Sequence, residues 1–212
     1  MIKLDKRLSS ILSEISGKVL ADIGCDHGKL LAVALLDGRC LKAIAGDISA
    51  DSLSKTISLA KELGLEDRIE FRVSNGFEKI GENLDTAVIA GLGGYEIRDI
   101  LSQQLPEIKR LVLCPHQNAM IARRALNQIG YGAIKDYVIK EGRKYYQIIV
   151  AEKGFEAYKS EELRFGKNTP SCDDYYDMLK SRKSVIENRF LGKTIPKGEM
   201  EDEYQEILRC LK

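Results

Sequence analysis

From residue 18 onward the chain alternates short apolar, β-branched runs with longer segments whose apolar positions recur at helical spacing. The short runs are "KVLADI" (18–23), "LKAIAGD" (41–47), "DRIEFRV" (67–73), "LDTAVIAG" (84–91) and "IKRLVLC" (108–114). Strands and helices in this rhythm predict βαβ units and therefore a parallel sheet. Because the runs are apolar on both faces, helices are expected to cover both sides. After a predicted helix over 118–129, "YGAIKDYVIK" and "KYYQIIVAEK" read as strands joined by "EGR", a β-hairpin. The predicted fold class is α/β: a doubly wound, mostly parallel sheet that ends in one antiparallel hairpin.

The pattern changes near Gly154. A turn-rich connector holding "FGKNTPS" leads to two predicted helices, "CDDYYDMLKSRKSVIENRFL" and "GEMEDEYQEILRCLK", separated by the breakers Gly192 and Pro196. The expected division is a domain over residues 1–153 and a connector with a small C-terminal helical hairpin over 154–212. The first arm and loop carry Lys180, Arg182, Lys183, Arg189, Lys193 and Lys197, while the second arm opens with Glu199, Glu201, Asp202 and Glu203. Two readings stand: the arms pair their charges, at about 0.2–1 kcal/mol per exposed pair, or the basic arm, with Lys183 and Arg189, faces nucleic acid.

Composition narrows this little. The 212 residues are 44% hydrophobic and 31% charged, as in ordinary globular protein, with enough length for one domain and an appendage. No apolar run approaches the roughly 18 residues of a membrane span, and the charged, periodic N-terminus is unlike a signal peptide. A cytoplasmic protein without a membrane partner is expected, and a monomer. Five cysteines without a C-x-x-C pair suggest reduced thiols, with neither a disulfide framework nor a metal site. A net charge of +1 argues against indiscriminate coating of nucleic acid but leaves room for a local basic face.

The candidate chemistry lies in the loops after the strands. In "ADIGCDHGKL" (21–30), Asp22, Gly24 and Gly28 form a strand-to-helix turn whose free helix N–H groups would face a ligand. The full G-x-G-x-x-G is missing, so a dinucleotide pyrophosphate is the weaker fit. Asp47, 23 residues after Gly24 and followed by Ile48, is placed to accept hydrogen bonds from ribose hydroxyls. In "SNGFEKI", Asn75 and Gly76 could edge an adenine ring and Phe77 offer it a face; a plain Asn-Gly turn is the alternative. Ala90, Gly91, Gly93 and Gly94 let backbone approach cofactor and substrate. In "CPHQN", Pro115 and His116 fall on the same carboxyl edge, Asn118 is expected to cap the next helix, and Cys114 is expected in the core.

Together, "LDKRL", "ADIGCDH", "AIAGDI", "SNGF", "VIAGLGG", "LVLCP", "YYQIIVAEKG" and "RFG" resemble the bacterial tRNA (adenine-22-N1)-methyltransferases, from the N-terminus to about residue 166. The resemblance implies a Rossmann-like class I methyltransferase domain, S-adenosylmethionine as cofactor, tRNA as partner, and a C-terminal hairpin, here shortened, that helps embrace the RNA. It also implies catalytic roles for Asp26 and His27: Asp26 would accept a hydrogen bond from the target adenine's exocyclic amine, and His27 would orient base or cofactor. Arg7 fits a cofactor carboxylate, an RNA phosphate, or an ordinary surface position. The chain departs from the family where Asp-His-Ala-Tyr-Leu-Pro becomes "DHGKLL", which puts Lys29 in place of an aromatic, and where Gln-Pro-Asn becomes "CPH". A small-molecule methyltransferase and a binding homologue without turnover remain as alternatives.

Overall fold

The computed structural model describes residues 2–212. Seven strands form one sheet: β1 (Val19–Ile23), β2 (Lys42–Asp47), β3 (Ile69–Val73), β4 (Leu84–Ala90), β5 (Ile108–Cys114), β6 (Tyr131–Glu141) and β7 (Lys144–Lys153). Their order is β3-β2-β1-β4-β5-β7-β6. The first five run parallel, while β7 inserts antiparallel between β5 and β6. The hairpin of the sequence reading thus closes the sheet. The third strand begins at Ile69 rather than 67, because residues 66–68 form a short 3-10 turn whose Arg68 reaches back to the carbonyls of Cys40 and Leu41.

Strand side chains alternate between two cores, as the pleat requires. Leu20, Ala43, Ala45, Val88, Val112 and Val150 pack with helices α1 (Lys6–Glu14), α2 (Lys29–Leu36) and α3 (Ala50–Leu63) on one face. Ala21, Ile44, Ala87, Ile89, Leu111 and Ile149 pack with α4 (Gly94–Leu101) and α5 (Ala119–Gln128) on the other. Cys114 lies in the first core at 1% exposure, and burial pushes its thiol up to about 11, as expected of a packing residue rather than a nucleophile. Asn118 corrects an expectation. It stands at the start of α5 with a left-handed backbone (φ 55°), and its side chain makes no cap bond.

The helical hairpin consists of α6 (Asp173–Arg189) and α7 (Glu199–Cys210). It builds a third core from Val138 of β6 with Phe165, Tyr175, Leu179, Ile186 and Ile207. Residues 154–171 do not run free: Tyr158 and the carbonyls of Leu163 and Arg164 join a buried network around Arg123 of α5 and Asp136 of β6. Between the arms, Arg182 makes a two-pronged ion pair with Glu203 (2.6 and 2.8 Å), so part of the basic arm is spent on its partner helix. Among the described residues no helix is long and apolar enough to cross a membrane.

Candidate active site

A cavity of about 850 Å³ opens at the carboxyl ends of β1, β2 and β4. It lies where the strand order reverses between β1 and β4, the position at which open α/β sheets bind ligands. Its size suits a small-molecule ligand.

The turn after β1 forms one wall. The N–H groups of Gly24 and Cys25 both donate to the Gly46 carbonyl (2.8 and 3.1 Å), which ties the turn to the end of β2. At Gly24 (φ 80°) a side chain would project toward Leu92 across the cavity lip, so its absence leaves the backbone bare to a ligand. Two successive left-handed residues, His27 and Gly28 (both φ 64°), then turn the chain into α2. Gly28 is required there, since a Cβ would sit 2.4 Å from the Thr56 methyl. His27 is held in a conformation that non-glycine residues seldom adopt. The loop presents Asp26, His27 and Lys29 to the cavity, with Asp26 3.2 Å from the His27 ring and 3.5 Å from Lys55.

Charge is concentrated deeper in. Asp22, near the end of β1, is 8% exposed, and its pKa is pushed up to about 6. Burial is the main cause; the Cys25 hydrogen bond and the charge of Arg7 oppose it, and Asp47 adds to it. Arg7 reaches in from α1 and has no carboxylate within ion-pair distance among the described residues. Asp47 accepts from the Ser49 N–H through one oxygen (2.8 Å). Beside it Ile48 is 74% exposed, a bare apolar side chain at the cavity mouth.

Asn75 and Gly76 line the cavity, but Phe77 does not. Its ring is 2% exposed in the second core, because the chain turns inward after Gly76, so Ile48 supplies the apolar surface that Phe77 was expected to offer. The Asn75 amide already donates to Glu78 (2.9 Å). At the end of β4, Ala90 and Gly91 line the cavity and Gly93 does not: it is the residue that precedes α4, where a Cβ would meet the end of the Glu96 side chain. Neither Pro115, which is buried, nor His116, which is exposed, is in the lining; the His116 ring Nδ1–H donates to the Gly91 carbonyl (3.1 Å). With its backbone N–H also donating to the Leu92 carbonyl (3.0 Å), His116 buttresses the glycine loop. Lys183 and Arg189 lie on α6, against the sheet edge three strands beyond β4, and Lys183 pairs with Glu187 at 2.7 Å.

The sequence reading missed Leu8, Ser74, Leu92, Glu96, Asp99, Ile100 and Gln103, all in the lining. Positions 96, 99, 100 and 103 share one face at helical spacing, a signal that becomes legible only once α4 is known to run along the cavity.

Comparison with known proteins fits this geometry. Residues 4–149 match the family model described as Methyltransferase domain. The tRNA (adenine(22)-N(1))-methyltransferase of Bacillus subtilis is 35% identical over 158 residues, 72% of this chain and 66% of that protein. A Mycoplasma genitalium protein named as a candidate tRNA methyltransferase is 31% identical over 191 residues, 86% of each chain. Among solved structures, a Streptococcus pneumoniae candidate tRNA (m1A22) methyltransferase in complex with S-adenosyl-L-methionine superposes with a TM-score of 0.89 at 25% identity, over 99% of this chain and all of that one. The B. subtilis m1A22 tRNA methyltransferase superposes with a TM-score of 0.81 at 25% identity, over 100% and 97%.

S-adenosylmethionine, bound in the S. pneumoniae structure, fits the residues present. The cavity combines a carboxylate and a guanidinium in its depth, a bare glycine turn, a carboxylate at the end of β2 and an apolar side chain beside it. The chain belongs to the methyltransferase-domain family and, within it, to the bacterial tRNA (adenine-22-N1)-methyltransferases.

Proposed function

We propose that this chain methylates N1 of adenine 22 in tRNA, with S-adenosylmethionine as methyl donor. The observation that carries the proposal is the join of two features in one cavity: a cofactor-type strand-order reversal, and the left-handed loop that sets Asp26 and His27 at its rim. When bound, the cofactor supplies a methyl on a cationic sulfur; adenine N1 takes it with its lone pair, and the carbon–sulfur electrons stay on sulfur. Asp22 would hold the cofactor ammonium, Arg7 its carboxylate, Asp47 the ribose hydroxyls, and Ile48 with the loop of residues 74–76 the adenine. Because N1 already carries a free lone pair, the chain's remaining task is to receive an extruded base and align it. Asp26 accepts from the exocyclic amine, and His27 and Lys29 border the opening.

The test is incubation with labelled S-adenosylmethionine and unmodified total tRNA, followed by nucleoside mass spectrometry and mapping. Labelled N1-methyladenosine at position 22 is expected. Stoichiometric cofactor binding with no labelled nucleoside would refute the proposal and leave a binding homologue.

The state of Asp22 gives a pH dependence. Above about pH 6 its carboxylate is charged and attracts the cofactor ammonium; below, it is protonated. Cofactor affinity is therefore expected to fall about tenfold per unit as pH drops below 6. Stability of the cofactor-free protein runs the other way. A folded pKa raised from 3.8 gives a contribution fully present below 3.8 and lost as pH rises through 6. Calorimetric titrations at pH 5 and 7.5 check this, and an Asp22→Asn variant should be flat across the range.

For the RNA, we read the basic arm as a phosphate-facing surface. Arg189 and Lys193 carry no ion pair among the described residues, unlike Lys183 and Arg182. Arg189→Ala with Lys193→Ala is expected to raise KM for tRNA a few-fold, leave kcat unchanged, and flatten the salt dependence of binding by about one unit of slope per lost phosphate contact. An unaltered slope would place the RNA elsewhere.

A further inference from the structure

Gln103 belongs to no recognised motif, yet both polar atoms of its side chain are spent on the loop after β3. Its Oε1 accepts from the Phe77 N–H at 2.8 Å, and its Nε2 donates to the Asn75 carbonyl at 3.1 Å. The amide lies flat on the residue between: a Cβ at position 76 would stand 2.6 Å from Gln103 Oε1 and 2.9 Å from Nε2. Gly76 is therefore the receptacle for this clamp as well as a turn residue. From the other side Ser74, 4% exposed, donates its hydroxyl to the Gly76 carbonyl (3.1 Å) and accepts from the Lys79 N–H (3.1 Å).

With these groups engaged, the backbone N–H groups of Asn75 and Gly76 are the loop donors left without a partner among the described residues. They belong to a loop that lines the cavity, as does the exposed Ile48. Gln103 follows α4, the helix that begins just beyond the glycine loop at the end of β4, so its clamp couples that side of the cavity to the loop after β3.

We propose that Gln103 is a positioning residue for the cofactor's adenine: by holding residues 74–77 from behind, it fixes two backbone donors so that the site selects a base with an acceptor ring nitrogen and rejects one with a ring N–H. This rests on the S-adenosylmethionine reading of the cavity. Adenine presents a bare N1 beside an amine, whereas hypoxanthine presents N1–H beside a carbonyl, so a rigid donor pair discriminates between them and a loosened one adapts to both. Discrimination by hydrogen bonding requires that the donors not move, since a donor free to rotate to water loses the penalty for a wrong partner.

The test is calorimetric binding to the full-length chain of S-adenosylhomocysteine and of its deaminated inosine counterpart, with thermal midpoints and tRNA methylation rates on the same samples. Gln103→Met keeps the length of the side chain and removes the amide donor and acceptor. Gln103→Glu keeps the acceptor for Phe77 N–H and sets an oxygen against the Asn75 carbonyl. Both variants are expected to bind S-adenosylhomocysteine about tenfold more weakly, the size of one or two lost hydrogen bonds, with kcat at saturation changed less than about twofold. The ratio of the two affinities should shrink by a similar factor. That ratio is the decisive readout, because partial unfolding weakens both ligands alike. Equal weakening of both, or affinity within twofold of wild type, overturns the clamp. Wild-type protein that binds neither ligand overturns the cofactor reading and the clamp together.

Discussion

Asp136→Ala should lower the unfolding free energy by about 3–5 kcal/mol, the cost of stripping a buried charge of its partner. Arg123 is fully buried and Asp136 is 2% exposed. The two meet through paired hydrogen bonds of 2.8 and 2.9 Å. Arg123 also donates to the carbonyls of Leu163 and Arg164 and to Gln147, and the Tyr158 hydroxyl donates to Asp136 at 2.7 Å. Removal of the carboxylate leaves a guanidinium in the interior and takes from the connector the acceptor of the Tyr158 hydroxyl and of the Lys167 N–H. A double replacement, Arg123→Met with Asp136→Leu, should recover part of the loss and not all of it, because the two carbonyls and the Tyr158 hydroxyl still lose partners. Urea unfolding of the full chain measures both, and a loss under 1 kcal/mol for Asp136→Ala would show that the network is not what anchors the connector. The network also gives physical content to "RFG": a Cβ at Gly166 would fall 2.5 Å from the Asp136 carboxylate, so the glycine lets the connector pass over the ion pair.

What could be read in the sequence was what depends on local period. Strands at 19–23, 42–47, 84–90 and 108–114 follow runs apolar on both faces, and the hairpin after α5 follows period-two alternation around "EGR". Asp22, Gly24, Asp47, Asn75 and Gly91 reach the cavity because each lies within two residues of a strand's end, and strand ends converge by topology. What could not be read depended on which way a side chain turns once the chain leaves the strand. Phe77 and Asn75 are two residues apart, yet one is in the core and the other at the cavity. Gln103 and Arg123 carry no local signal at all, because their partners are 26 to 28 and 13 to 41 positions away. The acid and base of the helical hairpin illustrate the same limit. Opposite charges on two arms were visible, but only the structure separates Arg182, spent on Glu203, from Arg189, which is not.

That distinction between engaged and free charge bears most on Asp26. Its side chain is more than half exposed at the cavity rim, flanked by His27 and Lys55, which fix its position without burying it. A methyl on adenine N1 turns the ring cationic, so a carboxylate that accepts from the exocyclic amine gains attraction as the bond forms. It therefore stabilises the transition state more than the bound substrate. Asp26→Ala is accordingly expected to lower kcat about a hundredfold at saturating tRNA and cofactor, with cofactor affinity changed less than about threefold. Asp26→Asn, which keeps an acceptor oxygen but not the charge, should fall between, and Lys55→Ala should lower kcat by less than either, since it loosens the carboxylate without removing it. Single-turnover methylation separates the chemical step from product release. If Asp26→Ala keeps the full single-turnover rate, the carboxylate that meets the amine is another, and Glu96 is the next to replace: it lines the same cavity from α4 and has no ion pair among the described residues.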